Sequence, residues 1–94
     1  MEVIWTKTAF VGLERARSYI AEDNPEAALR IHHEILAAAA QLGTMPEVGR
    51  PGRVGGTREK VVSKTPYLIA YTVADNRVRI VAVQHGAQKW PKRF

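Results

Sequence analysis

The chain has 94 residues, of which 46% are hydrophobic and 24% charged, with no Cys and a formal net charge of +5. That length holds a single domain over residues 1–94 with one thin core, burying about 60–70% of the unfolded surface. Without Cys there is no disulfide and no thiolate metal site, which fits a reducing cytoplasm, and the longest aliphatic run, Ile35 to Ala40, falls far short of a membrane span. No signal-peptide pattern opens the chain.

The charge is unevenly placed. Residues 1–42 carry four basic and six acidic side chains, whereas residues 43–94 carry ten basic and three acidic. A split of this kind marks a binding half, with nucleic acid, an anionic surface or an acidic protein as candidate partners.

Glu2 to Trp5 alternates polar and apolar residues, with Val3 and Trp5 on one side, and predicts a short strand. Thr6 offers a helix N-cap. From Lys7 to Glu22 the apolar residues Ala9, Leu13, Ala16 and Ile20 recur at helical spacing, with Phe10 widening the stripe and Glu14, Arg15, Arg17 and Ser18 on the wet side. Gly12 weakens this helix by about 1 kcal/mol relative to Ala. Asp23-Asn24-Pro25-Glu26 then supplies a cap, a Pro at the first helical position and an acid in the first turn. A second helix is expected from Pro25 to Leu42, with Ala28, Ile31, Ile35, Ala38 and Leu42 on one stripe. Leu29, Leu36 and Ala40 lie beside that stripe and predict burial over a wide arc. Gly43 reads as the C-cap glycine, with Pro46 just beyond it. So short a turn between helices makes an antiparallel hairpin.

Thr44 to Gly56 has no period and is rich in Gly and Pro; such loops are often functional, and the plain alternative is a connector with solvated arginines. Thr57 to Lys64, Tyr67 to Ala74 and Arg77 to Gln84 read as strands, with Asp75-Asn76 as a tight turn and Val78, Ile80 and Ala82 facing one way. Pro66 marks the start of the middle strand. The expected architecture is α+β: an N-terminal strand, an antiparallel two-helix hairpin, then a three-strand antiparallel meander, forming one sheet with helices on one face. The first strand is expected to return and pair with the meander.

Cofactor and catalytic signatures are missing: there is no Walker loop, GxGxxG, GxSxG or HExxH. His32 and His33 point roughly 100° apart on a helix and cannot chelate one ion together. No cofactor and no metal is expected. His85 closes the last strand, where it reads either as a proton-transfer group or as a hydrogen-bonded strand end. Tyr67 and Tyr71 share a face of their strand, as cover for the hairpin or as part of a site. Arg58 begins the strand after the loop, either pairing locally or extending the basic surface. The tail Lys89-Trp90-Pro91-Lys92-Arg93-Phe94 interleaves cations with aromatics. That combination binds nucleic acid by phosphate contact and base stacking, or anchors the chain end through Trp90.

Read in order, these pieces resemble one family. They are a leading strand ending in Trp5, Tyr19-Ile20-Ala21-Glu22-Asp23-Asn24-Pro25-Glu26-Ala27-Ala28, and Leu42 followed by Pro46, Gly49 and Arg50. Thr57-Arg58-Glu59, Tyr67-Leu68-Ile69-Ala70-Tyr71 and the run from Val81 to Pro91 complete the set. Together they resemble the RelE/ParE superfamily of toxins from bacterial type II toxin–antitoxin systems, over the whole chain. The resemblance implies a cytoplasmic toxin that arrests growth and is neutralised by a cognate antitoxin. The antitoxin's disordered, often acidic C-terminal part folds onto the toxin, with a helix in the groove beside the hairpin and sometimes an added strand. Phe10, Leu13, Arg17, Ile20, Leu29 and Leu36 are the expected antitoxin contacts, and DNA contact is expected through the antitoxin alone.

The superfamily divides by target. RelE-like members cut mRNA on the ribosome with a cluster of Arg, Lys, Tyr or His at the sheet; here Arg58, Tyr67, Tyr71 and His85 would supply it. ParE-like members inhibit DNA gyrase without a known catalytic role. Leu68 stands where the ribonucleases commonly carry an Arg, and Gln88 aligns where they often supply another. Aliphatic Leu68 cannot stabilise a pentavalent phosphate. The Asn-Pro-Glu-Ala-Ala helix start is also more typical of ParE-like members. The resemblance therefore favours a non-enzymatic gyrase poison, with Arg50, Arg53, Arg58, Lys89, Trp90, Lys92 and Arg93 as target contacts. A ribosome-dependent endoribonuclease is the alternative, and an inactive relic a third reading.

Overall fold

Two short polar side chains start the helices. In the computed structural model, which describes all of residues 1–94, Thr6 Oγ1 accepts the Ala9 amide at 3.2 Å and Asn24 Oδ1 accepts the Ala27 amide at 3.0 Å. Each bond satisfies an amide that the first helical turn leaves unpaired. Strand β1 (Glu2–Trp5) leads into α1 (Lys7–Ala21) and α2 (Pro25–Gln41), which are followed by β2 (Arg50–Pro51), β3 (Arg58–Val61), β4 (Tyr67–Ala74) and β5 (Arg77–His85).

The strands form one sheet in the order β1-β5-β4-β3-β2. The meander β3-β4-β5 is antiparallel, as its turns require, but β1 joins β5 in parallel, Val3 opposite Val78 and Trp5 opposite Ile80. The sheet is therefore mixed rather than purely antiparallel: the helical hairpin carries the chain from β1 to the opposite edge at β2, and the meander brings it back to lie beside β1 running the same way. A second difference is β2. It lies inside the loop that shows no period, since two residues are too few to display one, and it pairs antiparallel with β3. Asp75 and Asn76 adopt φ of 52° and 59°, the left-handed pair that a two-residue hairpin turn needs.

Ala9, Leu13 and Ala16 of α1 and Ile31, Ile35 and Ala39 of α2 pack against Val62, Tyr67, Ile69, Tyr71, Val78, Ile80 and Val83 of the sheet. Val3, Trp5 and Ile20 close the edges of this core. Three expectations need correction. Ala39, not Ala38, lies on the buried stripe of α2, with Ala38 only partly buried. That helix is not buried over a wide arc, because Leu29 is 56% and Leu36 38% exposed. Finally, Val78 and Ile80 do not share a face with Ala82. A bulge at Val81 makes Ala70 pair with Ala82 while Tyr71 pairs with Ile80. The extra residue flips the alternation, so Val83 and His85 continue the helix-facing side and Ala82 and Gln84 turn to the other.

Gly43 likewise has a different reason from the one the sequence suggests. It lacks the positive φ of a capping glycine; instead a Cβ there would lie 2.8 Å from the Met1 carbonyl oxygen and 3.1 Å from Val3. The end of α2 and the start of β1 touch through that missing side chain, and the N-terminal ammonium donates to the Gly43 carbonyl at 2.8 Å.

Candidate functional site

The basic half of the chain is organised on the sheet face away from the helices. There Glu59, 3% exposed, stands opposite Ala70 in the register and beside Leu68, Ala82 and Gln84, all buried. Its Oε2 accepts the Arg53 amide at 2.7 Å and Arg53 Nε at 3.1 Å, and its Oε1 accepts Arg50 Nη2 at 3.2 Å and Arg53 Nη2 at 3.3 Å. Burial pushes the carboxyl's pKa up, but the Arg53 amide, the two guanidiniums and their charge outweigh it. The net result holds Glu59 below its usual range. Arg53 also stacks on the Trp90 ring, with its guanidinium carbon 3.9 Å from the ring centre. Loop and tail are thus joined over the back of the sheet through one cation, and Val54, 3% exposed, is sealed beneath the loop.

The loop start is held separately. Tyr71, fully buried, donates its hydroxyl proton to the Pro46 carbonyl at 2.8 Å and accepts the Gly49 amide at 2.9 Å. Arg58 donates through Nη1 to the Gly49 carbonyl at 2.8 Å and the Glu47 carbonyl at 3.4 Å. Both side chains fasten the loop to β3 and β4. Arg50 and Arg53 are likewise engaged with Glu59, so the loop arginines are neither free nor merely solvated.

Tyr67 and His85 meet elsewhere, opposite each other on β4 and β5, with ring centres 5.4 Å apart and planes nearly perpendicular. His85 Nδ1 accepts the Ala87 amide at 3.0 Å, which places the proton of its neutral ring on Nε2. Burial first, and the nearby Tyr19 phenol second, raise the Tyr67 pKa, so this phenol stays protonated at neutral pH. The pair lines a cleft of about 390 Å³ together with Arg15, Tyr19, Gln84 and Gln88. A larger cleft of about 650 Å³ adjoins it, between the start of α1 and the tail.

Of the four residues of the ribonuclease alternative, only Tyr67 and His85 come together. Arg58 and Tyr71 serve the loop, four residues further along β4, about 13 Å at strand spacing. Leu68, 6% exposed, is buried on the opposite face of the sheet. The expected antitoxin contacts also divide. Phe10 (53%), Leu29 and Leu36 are exposed on the helices and Arg17 is exposed while paired with Glu14 at 2.8 Å. Leu13, 2% exposed, is a core residue and offers nothing to a partner, and half-buried Ile20 packs against that core. In the tail, Lys89, Lys92 and Arg93 are exposed and take part in none of the four ion pairs of the molecule.

Sequence reasoning missed Glu59 as the organiser of the loop. Its signal was available: it is one of three acids in a half with ten cations, flanked by Arg58 and Lys60. Arg15, Tyr19 and Gln88 were missed as cleft residues, because helix-surface polarity alone does not say which side faces a cavity. No group of three His, Asp or Glu side chains is placed to hold a metal ion, and no helix is long and apolar enough to cross a membrane.

Residues 3–90 match the family model for the ParE toxin of the type II toxin–antitoxin system parDE. The chain is 40% identical over 88 residues to the Sinorhizobium fredii protein named "Putative toxin Y4kP", covering 94% of this chain and 91% of that relative. It is 38% identical over 87 residues to Toxin RelE2 of Caulobacter vibrioides, covering 93% of this chain and 97% of RelE2. Among solved structures it superposes on a chain of the chromosomal ParDE TA system from P. aeruginosa with a TM-score of 0.82 at 23% identity, over 90% of this chain and 95% of that one. The mixed sheet under a helical hairpin, the family match over nearly the whole length and two toxin relatives agree: the chain belongs to the ParE toxin family of type II toxin–antitoxin systems.

Proposed function

We propose that this toxin acts by binding DNA gyrase rather than by cutting RNA, and that a cognate antitoxin neutralises it. The observation that carries the reading is the separation of Arg58 and Tyr71 from Tyr67 and His85. A ribonuclease centre needs a base, an acid and a cation around one phosphate. Here the Arg58 guanidinium and the Tyr71 hydroxyl are taken up by the main chain between Pro46 and Gly49. Tyr67 and His85 have no strand arginine beside them, since Leu68 stands on the other face, and Arg15 of α1 is the one Arg or Lys in the walls of their cleft. The tail adds three exposed cations that take part in no ion pair, Lys89, Lys92 and Arg93, which suit contact with a protein or its bound DNA.

Phe10, Leu29 and Leu36 supply the exposed apolar surface that an amphipathic antitoxin helix covers, with Arg17 at its margin. An acidic antitoxin segment would also compete for the basic half.

The test is to express the chain alone and assay purified toxin with gyrase on relaxed plasmid. Loss of supercoiling with accumulation of cleaved DNA is the expected result. Normal supercoiling at excess toxin, together with codon-linked cuts in translated mRNA that vanish in His85→Ala, replaces this reading with the ribonuclease one. The Tyr67–His85 contact is the observation that favours that alternative.

A further inference from the structure

The two clefts beside α1 share Gly12, Arg15, Val83, Gln84 and Gln88 in their walls, so they form one continuous groove from the start of α1, past the end of β5, to Tyr67. Three cations line it, Lys7, Arg15 and Lys89, and not one Asp or Glu. None of the three belongs to an ion pair. A groove whose positive charges are all unmatched concentrates field and favours an anionic occupant.

Its aromatic content narrows the choice. Tyr19, 69% exposed, stands at one end and Phe94, 44% exposed, at the other. Trp90 lies between them in the wall, edge-on to Phe94 at 6.2 Å, with an indole N–H that is buried and unpartnered. An extended acidic peptide would add its main chain to a strand edge, but β5 offers none here. Thr6 occupies the Ile80 carbonyl through both its amide and hydroxyl, at 3.1 and 2.8 Å. Gly12 of α1 sits directly on Val83. Gln88 takes the His85 amide at 3.2 Å and the His85 carbonyl at 3.0 Å. With the edge shut, what remains is unmatched positive charge interleaved with rings, the combination that tracks a phosphate backbone while stacking bases. In a duplex the base faces are covered by their neighbours, so the rings would find no partner.

We propose that this groove binds single-stranded nucleic acid, with Lys7, Arg15 and Lys89 on phosphates and the exposed rings of Tyr19 and Phe94 receiving bases, Trp90 forming the wall between them. This goes beyond gyrase inhibition by protein contact, since it puts nucleic-acid contact on the toxin itself. It also stands or falls separately, because its test contains no gyrase.

The test is fluorescence anisotropy of a labelled 12-nucleotide oligothymidylate with the purified chain over a range of salt. Three phosphate contacts give a slope of log affinity on log salt of roughly −2. Replacing Arg15 and Lys89 together by Ala flattens that slope by about 1.4. An Arg30→Ala, Arg79→Ala double variant removes the same charge from exposed sites outside the groove and leaves affinity within about twofold. An abasic oligomer with the same number of phosphates binds at least about tenfold more weakly, because it lacks stacking. Equal affinity for the abasic and thymidylate oligomers, or equal loss in both double variants, overturns the proposal in favour of unspecific charge attraction. A 12-residue polyglutamate that binds as tightly as the thymidylate overturns it in favour of an acidic peptide.

Discussion

Glu59 is the side chain on which the basic half depends. A carboxylate this deeply buried is costly unless its lone pairs are filled, and Arg53 and Arg50 fill them with one amide and three guanidinium bonds. Its folded pKa lies below the unfolded value, so its contribution to stability is present above the unfolded pKa, near 4.5, and is lost as pH falls through the folded one. Replacing Glu59 by Gln removes the charge but leaves the arginines half-exposed and able to hydrate. The expected cost at pH 7 is therefore about 1–3 kcal/mol. In urea melts the gap between the native chain and Glu59→Gln should stay constant from pH 7 to about 5, then shrink as the pH drops further. A gap unchanged down to pH 3 would mean that the carboxylate charge plays no part. Tyr71→Phe tests the other fastening. It strands the Gly49 amide without an acceptor, with an expected loss of about 1–3 kcal/mol. Faster hydrogen exchange at Gly49, with Tyr67 and His85 shifts unchanged in NMR, checks that the effect is confined to the loop.

At the scale of elements, the contact of α1 with β5 depends on Gly12. On propensity alone Ala at this position would stabilise the helix by about 1 kcal/mol. A Cβ here, however, would lie 2.8 Å from the Val83 carbonyl oxygen, a main-chain atom held in the sheet that cannot swing aside. Gly12→Ala is expected to destabilise by about 1–3 kcal/mol, measured as a lower urea midpoint with an unchanged slope. A stabilised variant would show that α1 moves freely over β5. The same contact illustrates where the sequence could be read and where not. Caps at Thr6 and Asn24, the Pro25 start, the Tyr67–Ala74 strand and the Asp75-Asn76 turn are local signals, and local signals survive in one dimension. The bulge at Val81, the parallel partner of β1 and the closeness behind Gly12 and Gly43 come from elements far apart in the chain, and a lone glycine reads the same whether it caps, turns or lets a backbone approach. The apolar positions Leu29 and Leu36 satisfy helical periodicity as well as core residues do, so their exposure is invisible to the pattern. In the candidate site the free tail cations were legible, whereas the uses of Arg50, Arg53, Arg58 and Tyr71 depend on a loop conformation that no period encodes.

At the scale of the molecule, the acidic N-terminal half forms one strand and the helical hairpin, and the basic half forms the rest of the sheet and the tail. The two halves should therefore separate functionally. Removing residues 89–94 takes away three cations, two aromatic rings and no strand or helix. The stability lost should be small, about 0.5–1 kcal/mol for the Arg53–Trp90 stacking at a half-exposed site, because Glu59 retains both arginines. The hairpin surface of Phe10, Leu29 and Leu36 is untouched by the cut. The shortened chain is accordingly expected to fold, with a midpoint close to that of the full chain, and to co-purify with its antitoxin. If the tail carries the target contacts, it should no longer arrest growth when expressed alone. Growth arrest as strong as that of the full chain would place those contacts outside residues 89–94, whereas loss of antitoxin capture would show that the halves are not separable. Circular dichroism, a pull-down with the antitoxin and an induction growth curve on the same two proteins distinguish these results, because the first reads the fold, the second the hairpin surface and the third the tail.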